Sequence, residues 1–140
     1  MNFPKPSSQT FLPHELQLHP GDDVFIMGYP LGLKDNVNNL PIFRNAMIAS
    51  SFRTHFDGKP LFLTDANLHP GTSGSPVITK PKSTWVDEQG NTSLRTGLNY
   101  FLLGVHSATL GMSAAGQQEI PLGLGATWYA ELVEEIAAQF

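Results

Sequence analysis

The chain contains no cysteine. Disulfide bridges and thiolate zinc sites are therefore excluded. The absence fits a reducing compartment without requiring one. Charge is also sparse. Charged residues make up 14% of the 140 positions, only eight of them are Lys or Arg, and the net charge is −4. A nucleic-acid groove needs clustered cations; the eight here are scattered, so nucleic acid is not an expected partner. No apolar stretch approaches the ~20 residues that span a bilayer. The opening Met1-Asn2-Phe3-Pro4-Lys5-Pro6 lacks the apolar run of a secretory signal. No membrane partner is expected, and the compartment stays open. Low charge does not mean disorder here, because hydrophobic residues reach 41%, enough for one domain with a real core. Glycine and proline are frequent and well spread, which suits short strands joined by tight turns.

Residues 1–20 hold four prolines and little periodicity. They read as an extended lead or connector, with Leu12, Leu16 and Leu18 as candidates for packing on the domain that follows, residues 21–140. Val24 to Met27 is a short apolar run between Gly and Pro, a buried strand. Ile42 to Phe52 is a second strand region. Asp57-Gly58 supplies the positive φ of a hairpin turn before a third strand, Leu61 to Thr64. Pro76 to Thr79, Tyr100 to His106 and Leu122 to Ala126 complete six. Lys34 to Leu40 and Lys80 to Gly97 read as polar loops, and Gly111 to Gln118 as a small-residue loop. Trp128, Leu132, Val133, Ile136 and Phe140 recur at helical spacing. Thr127 is the expected N-cap. The expectation is a terminal helix over 128–140 that lays this stripe on the domain rather than offering it to a partner. Together these elements predict an all-β fold, an antiparallel six-stranded barrel with a C-terminal helix.

The most informative stretch is Gly71-Thr72-Ser73-Gly74-Ser75-Pro76-Val77, led in by Thr64-Asp65-Ala66-Asn67-Leu68-His69-Pro70. Attack on an amide carbonyl needs an exposed serine hydroxyl. It also needs backbone N–H groups aimed at the oxyanion that forms. Glycines on either side of Ser73 permit the sharp turn and close backbone approach, so that the amides of Gly71 and Ser73 converge on one point. The bland alternative is a Gly/Ser turn between two strands.

The surrounding motifs resemble those of trypsin-like serine peptidases of the HtrA type. Gly21-Asp22-Asp23-Val24-Phe25-Ile26-Met27-Gly28-Tyr29-Pro30-Leu31-Gly32 is similar to the strand and turn that open the second barrel of that family. The Ser73 loop resembles its nucleophile loop. Leu103-Gly104-Val105-His106-Ser107 resembles the strand whose end forms the rim for substrate backbone. Thr72 stands where Asn or Asp is usual, and Ser75 replaces a second Gly. The resemblance implies a serine endopeptidase in which Ser73 is the catalytic nucleophile and Gly71 and Ser73 form the oxyanion hole. It implies a substrate edge at Ser107, Ala108 and Thr109. The family order is His, Asp, Ser, with the first two on an N-terminal barrel. Ser73 lies early in the chain, so that barrel is expected to be a missing partner of a half-domain prone to self-association.

The remaining polar candidates divide. The resemblance places Asn67 at the floor of the side-chain pocket, where a neutral residue disfavours Arg or Lys in the substrate. His106 stands where glutamyl endopeptidases, which this segment also resembles, carry a pocket histidine. Leu68 stands where those enzymes favour a small hydroxyl residue. The alternative for His106 is a barrel histidine bonded to a backbone group. His69 is a rim or solvated loop residue. His14, His19 and His55 are possible general bases, each needing contact with Ser73 and a carboxylate behind it; Asp22 and Asp23 beside His19 read better as turn residues. None of the histidines has the spacing of paired zinc ligands, so neither metal nor other cofactor is expected. The function expected is peptide-bond hydrolysis of a polypeptide substrate, with a non-catalytic peptide-binding or structural barrel as the alternative.

Overall fold

The computed structural model describes residues 10–113, 116 and 118–140. Eight strands run through the chain: β1 (Asp23–Gly28), β2 (Ile42–Ile48), β3 (Leu61–Asp65), β4 (Pro76–Thr79), β5 (Lys82–Val86), β6 (Thr92–Asn99), β7 (Leu102–Met112) and β8 (Ile120–Tyr129). One helix follows, α1 (Glu131–Ala137). Six strands close a barrel in the order β1-β2-β3-β8-β7-β4, every pair antiparallel. The expected all-β barrel is present.

Period-two alternation sorts side chains to the two faces of this barrel. Val24 and Ile26 of β1, Ala46 and Ile48 of β2, and Phe62 of β3 point into the main core with Val77 and Leu103. Leu61 and Leu63, the alternate residues of β3, point the other way. They form a smaller cluster with Ala126, covered by Leu110, Leu124 and Trp128. β3 is thus buried on both faces, which explains its unbroken apolar run. Leu12, Leu16 and Leu18 of the lead are all in the main core.

The lead is tied down by one side chain. Arg53 donates to the carbonyls of Leu12, Pro13, His14 and Leu16 at 2.7–3.2 Å. A single guanidinium fork satisfies a run of backbone acceptors whose strand pairing is limited to an isolated bridge at Leu16. Beside it the Tyr129 hydroxyl donates to the Thr54 carbonyl at 3.1 Å, and burial pushes the phenol pKa up.

Three expectations are corrected. Lys80 to Gly97 is not a polar loop: most of it forms the β5–β6 hairpin. Its turn is built by Asp87, whose carboxylate accepts the N–H groups of Gln89 and Asn91. The hairpin folds back on the lead through a Leu16–Asp87 bridge. Trp85 is buried against Phe101 in an edge-to-face contact, ring centroids 5.0 Å apart. The second correction concerns the C-terminus. Thr127 and Trp128 belong to β8, so the helix starts later than expected, and its cap, Ala130, makes no side-chain bond. None of the helix residues is buried, and Val133, Ile136 and Phe140 are exposed. The apolar stripe is real but covered only in part: Trp128 packs against the smaller cluster and Leu132 is half-buried, while the rest is uncovered. Third, part of Gly111 to Gln118 is strand: β7 continues to Met112 and pairs there with Ile120. Residues 114, 115 and 117 lie outside the described residues.

Candidate active site

The Ser73 turn sits between the ends of β3 and β4. Two glycines shape it. Gly71 has φ +95° and Gly74 has φ +84°, both in the left-handed region. Gly71 has a second reason to be glycine: a Cβ there would lie 2.9 Å from the Tyr29 carbonyl oxygen and 3.2 Å from the Leu31 nitrogen. The turn is held from within by Ser75 N–H to the Thr72 carbonyl (3.1 Å) and the Thr72 hydroxyl to the His69 carbonyl (2.8 Å). It is held from outside by Gly74 N–H to the His106 carbonyl and by His106 N–H to the Ser75 carbonyl, both 2.8 Å. Thr72 and Ser75 are buried while Ser73 is exposed. The substitution of Ser75 for glycine is accommodated across the barrel, since a Cβ on Gly28 would meet the Ser75 Oγ at 2.3 Å.

The amides flanking the hydroxyl are unoccupied. Among the described residues no acceptor receives the N–H of Gly71 or of Ser73. Most backbone donors find a partner, so free donors on an exposed turn are available to a ligand. The Ser73 hydroxyl itself donates to the Ser107 carbonyl at 2.9 Å. None of the five histidines makes a hydrogen bond with it. The His19 amide donates to the Asp22 carboxylate at 2.8 Å. His14 and His55 line an open cavity of about 490 Å³ with Arg53, Glu131 and Glu135.

Ser107 owes its carbonyl's freedom to an irregular ladder. His106 pairs with Thr127 and Ala108 pairs with Ala126, so Ser107 is the extra residue of a β-bulge. Bulges of this kind re-aim a strand locally. β4 pairs with β7 only as far as Val105. Among the described residues, β7 from Ser107 onward is paired with β8 alone, and its other edge is open. Ser107 is half-buried, and Ala108 and Thr109 are exposed along that edge.

The other sequence-derived site residues are placed as follows. Asn67 is exposed, and its carbonyl accepts from the Arg44 guanidinium. Leu68 is half-buried and packs against the main core. His106 is 1% exposed, and its Nδ1 has no partner. The expected backbone bond to its side chain is therefore not made. Burial holds the imidazole pKa below its ordinary 6.5, because it disfavours the charged ring. Gly125 gives it room: a Cβ there would come within 2.9–3.0 Å of the imidazole and 3.0 Å of the Thr64 hydroxyl. Thr127, its register partner, also carries a buried hydroxyl without a partner.

Two neighbours brace the site: Arg44, and the Tyr29–Gly32 turn that ends the Gly21–Gly32 motif. Arg44 braces Asn67 from β2, and nothing in its strand pattern marks it. The Tyr29–Gly32 turn cradles Gly71. Leu31 N–H donates to the Pro70 carbonyl at 2.8 Å. Leu31 has φ +53°, a conformation that costs a residue with a Cβ about 1–2 kcal/mol, and it is 71% exposed. The Gly-x-Pro-x-Gly spacing was the available signal. Phe11 and Leu102 are half-buried and bridge to each other.

A family model for the trypsin-like peptidase domain matches residues 4–86. No curated protein matches the chain.

Proposed function

The chain belongs to the trypsin-like peptidase domain family, and from that premise we propose that it is the nucleophile-bearing barrel of a serine endopeptidase. One observation carries this reading: an exposed Ser73 hydroxyl on a glycine-built turn, flanked by the unbonded N–H groups of Gly71 and Ser73. Ser73 Oγ attacks the peptide carbonyl and forms the acyl C–O bond; the C–N bond breaks, the amine leaves carrying the proton taken from Ser73, and water then hydrolyses the ester. The two amides stabilise the oxyanion as charge develops. The acyl half of the substrate lies as an added strand along the open edge at Ser107, Ala108 and Thr109. Asn67, Leu68 and His106 shape the pocket for its side chain. The proton leaving Ser73 needs a base, and among the described residues the hydroxyl has only the Ser107 carbonyl as acceptor. The histidine base and its carboxylate come from a second, N-terminal barrel packed against this one. Without it, the same open edge would hold an extended peptide uncut.

Labelling with a fluorophosphonate probe tests the assignment. The 140-residue chain should label slowly, and Ser73→Ala should not label at all. Supplying a histidine-bearing barrel should raise the rate about 10²–10⁴-fold, the usual range for general-base assistance. Rapid labelling of the chain alone would place the base within it and refute the two-barrel assignment. Labelling that survives Ser73→Ala would refute the nucleophile.

A further inference from the structure

The Ser73 turn has two flanks. On one is the open β7 edge, joined to Ser73 through the Ser107 carbonyl. On the other is the Tyr29–Gly32 turn, joined to Gly71 and Pro70 by contact and by the Leu31 N–H. An extended peptide whose acyl half follows β7 must send its leaving half across the second flank. One extended residue covers ~3.3 Å, so the first residues beyond the cleaved bond pass over Gly71 and Pro70 and meet Leu31.

Leu31 is a poor choice for that turn on local grounds. Its left-handed backbone favours Gly or Asn, and its side chain gains nothing from burial. Leu33, two residues on, is also exposed. Backbone strain combined with exposed apolar surface, in contact with the oxyanion-forming loop, is the kind of outlier from which a functional role is inferred. We propose that Leu31, supported by Leu33, selects an apolar residue on the leaving-group side of the cleaved bond. The inference rests on the endopeptidase assignment and adds a substrate preference to it.

Peptide binding to the unmodified chain, read by fluorescence anisotropy, separates the two. One peptide set ends at the cleaved residue and so reports only the acyl side. A second set spans the bond and varies its first leaving-side residue among Leu, Ser, Asp and Lys. Leu should bind about 10-fold tighter than Asp or Lys, the scale of a modest apolar contact. In Leu31→Asn, whose side chain suits the left-handed backbone, the preference should shrink to within about twofold, while acyl-side peptides bind as before. Leu33→Ser should reduce it partly. If acyl-side peptides bind but the leaving-side residue makes no difference, or its effect survives Leu31→Asn, the inference is wrong and the endopeptidase assignment stands. If neither set binds, both fail together.

Discussion

The two ends of the barrel handle polar groups in opposite ways. At the end where β3 begins and β8 finishes, Arg53 answers four backbone carbonyls with one side chain. Those bonds hold the chain to itself, although Arg53 also lines the open cavity with His14, His55, Glu131 and Glu135. At the end where β3 finishes and β4 begins, two amide donors and a strand edge have no partner. The comparison teaches where to look for function. A satisfied network is architecture, because breaking it costs folding energy and gains no chemistry. Exposed N–H groups without a protein partner are met by water, which a ligand can displace.

The sharpest way to break the comparison is to exchange the effects. On the proposed mechanism Gly71→Ala should cripple chemistry: the left-handed φ and the contact with the Tyr29 carbonyl together turn the proposed oxyanion donor away. Labelling of Ser73 should fall about 10²–10³-fold, equivalent to about 2.7–4 kcal/mol in the barrier. Arg53→Ala should do the reverse. Urea unfolding should register a loss of roughly 2–3 kcal/mol, the range for stranding partly buried acceptors, with labelling per folded molecule unchanged. If Arg53→Ala altered chemistry more than stability, the division between the ends would fail.

His106 sharpens the picture from within the barrel. Its folded pKa lies below the ordinary value of 6.5 because burial disfavours the imidazolium. The unfolded chain therefore binds the proton more readily. Stability from this group is fully present above pH 6.5 and declines as pH falls from there toward the folded pKa. The urea midpoint should drop on acidification through that window, and His106→Gln should flatten this part of the profile. Smallest of all should be Ile136→Lys. The helix stripe is uncovered at Ile136, so stability should move by no more than about 0.5 kcal/mol. A larger loss, or a shift in sedimentation between the two proteins, would mean that Ile136 is covered in solution.

The barrel was legible because alternation and turn residues report the local backbone directly. Val24, Ile26, Ala46 and Ile48 sit where their spacing put them. The serine turn was legible because glycine at positions 71 and 74 marks left-handed backbone. What escaped depends on contacts between distant segments. Arg53 reaches back about 40 residues to the lead, and no local pattern announces a side chain that serves remote carbonyls. Trp85 looked like one apolar residue in a polar stretch until the hairpin carried it under Phe101. The terminal stripe had the right period for a helix, but period alone does not say whether the stripe is covered. The bulge in β7 was invisible for the same reason: a spare residue shows only against its partner strand.

That spare residue has a consequence of its own. Deleting Ser107 would leave His106 opposite Thr127 and Ala108 opposite Ala126 as consecutive rungs, a more regular ladder than the natural one. Leu110 would keep its place over Leu61 and Leu63. For the sheet, position 107 is redundant. For Ser73 it is the sole acceptor among the described residues. A screen that rewarded folding alone would discard this position, and a screen that rewarded the proposed chemistry at Ser73 would retain it.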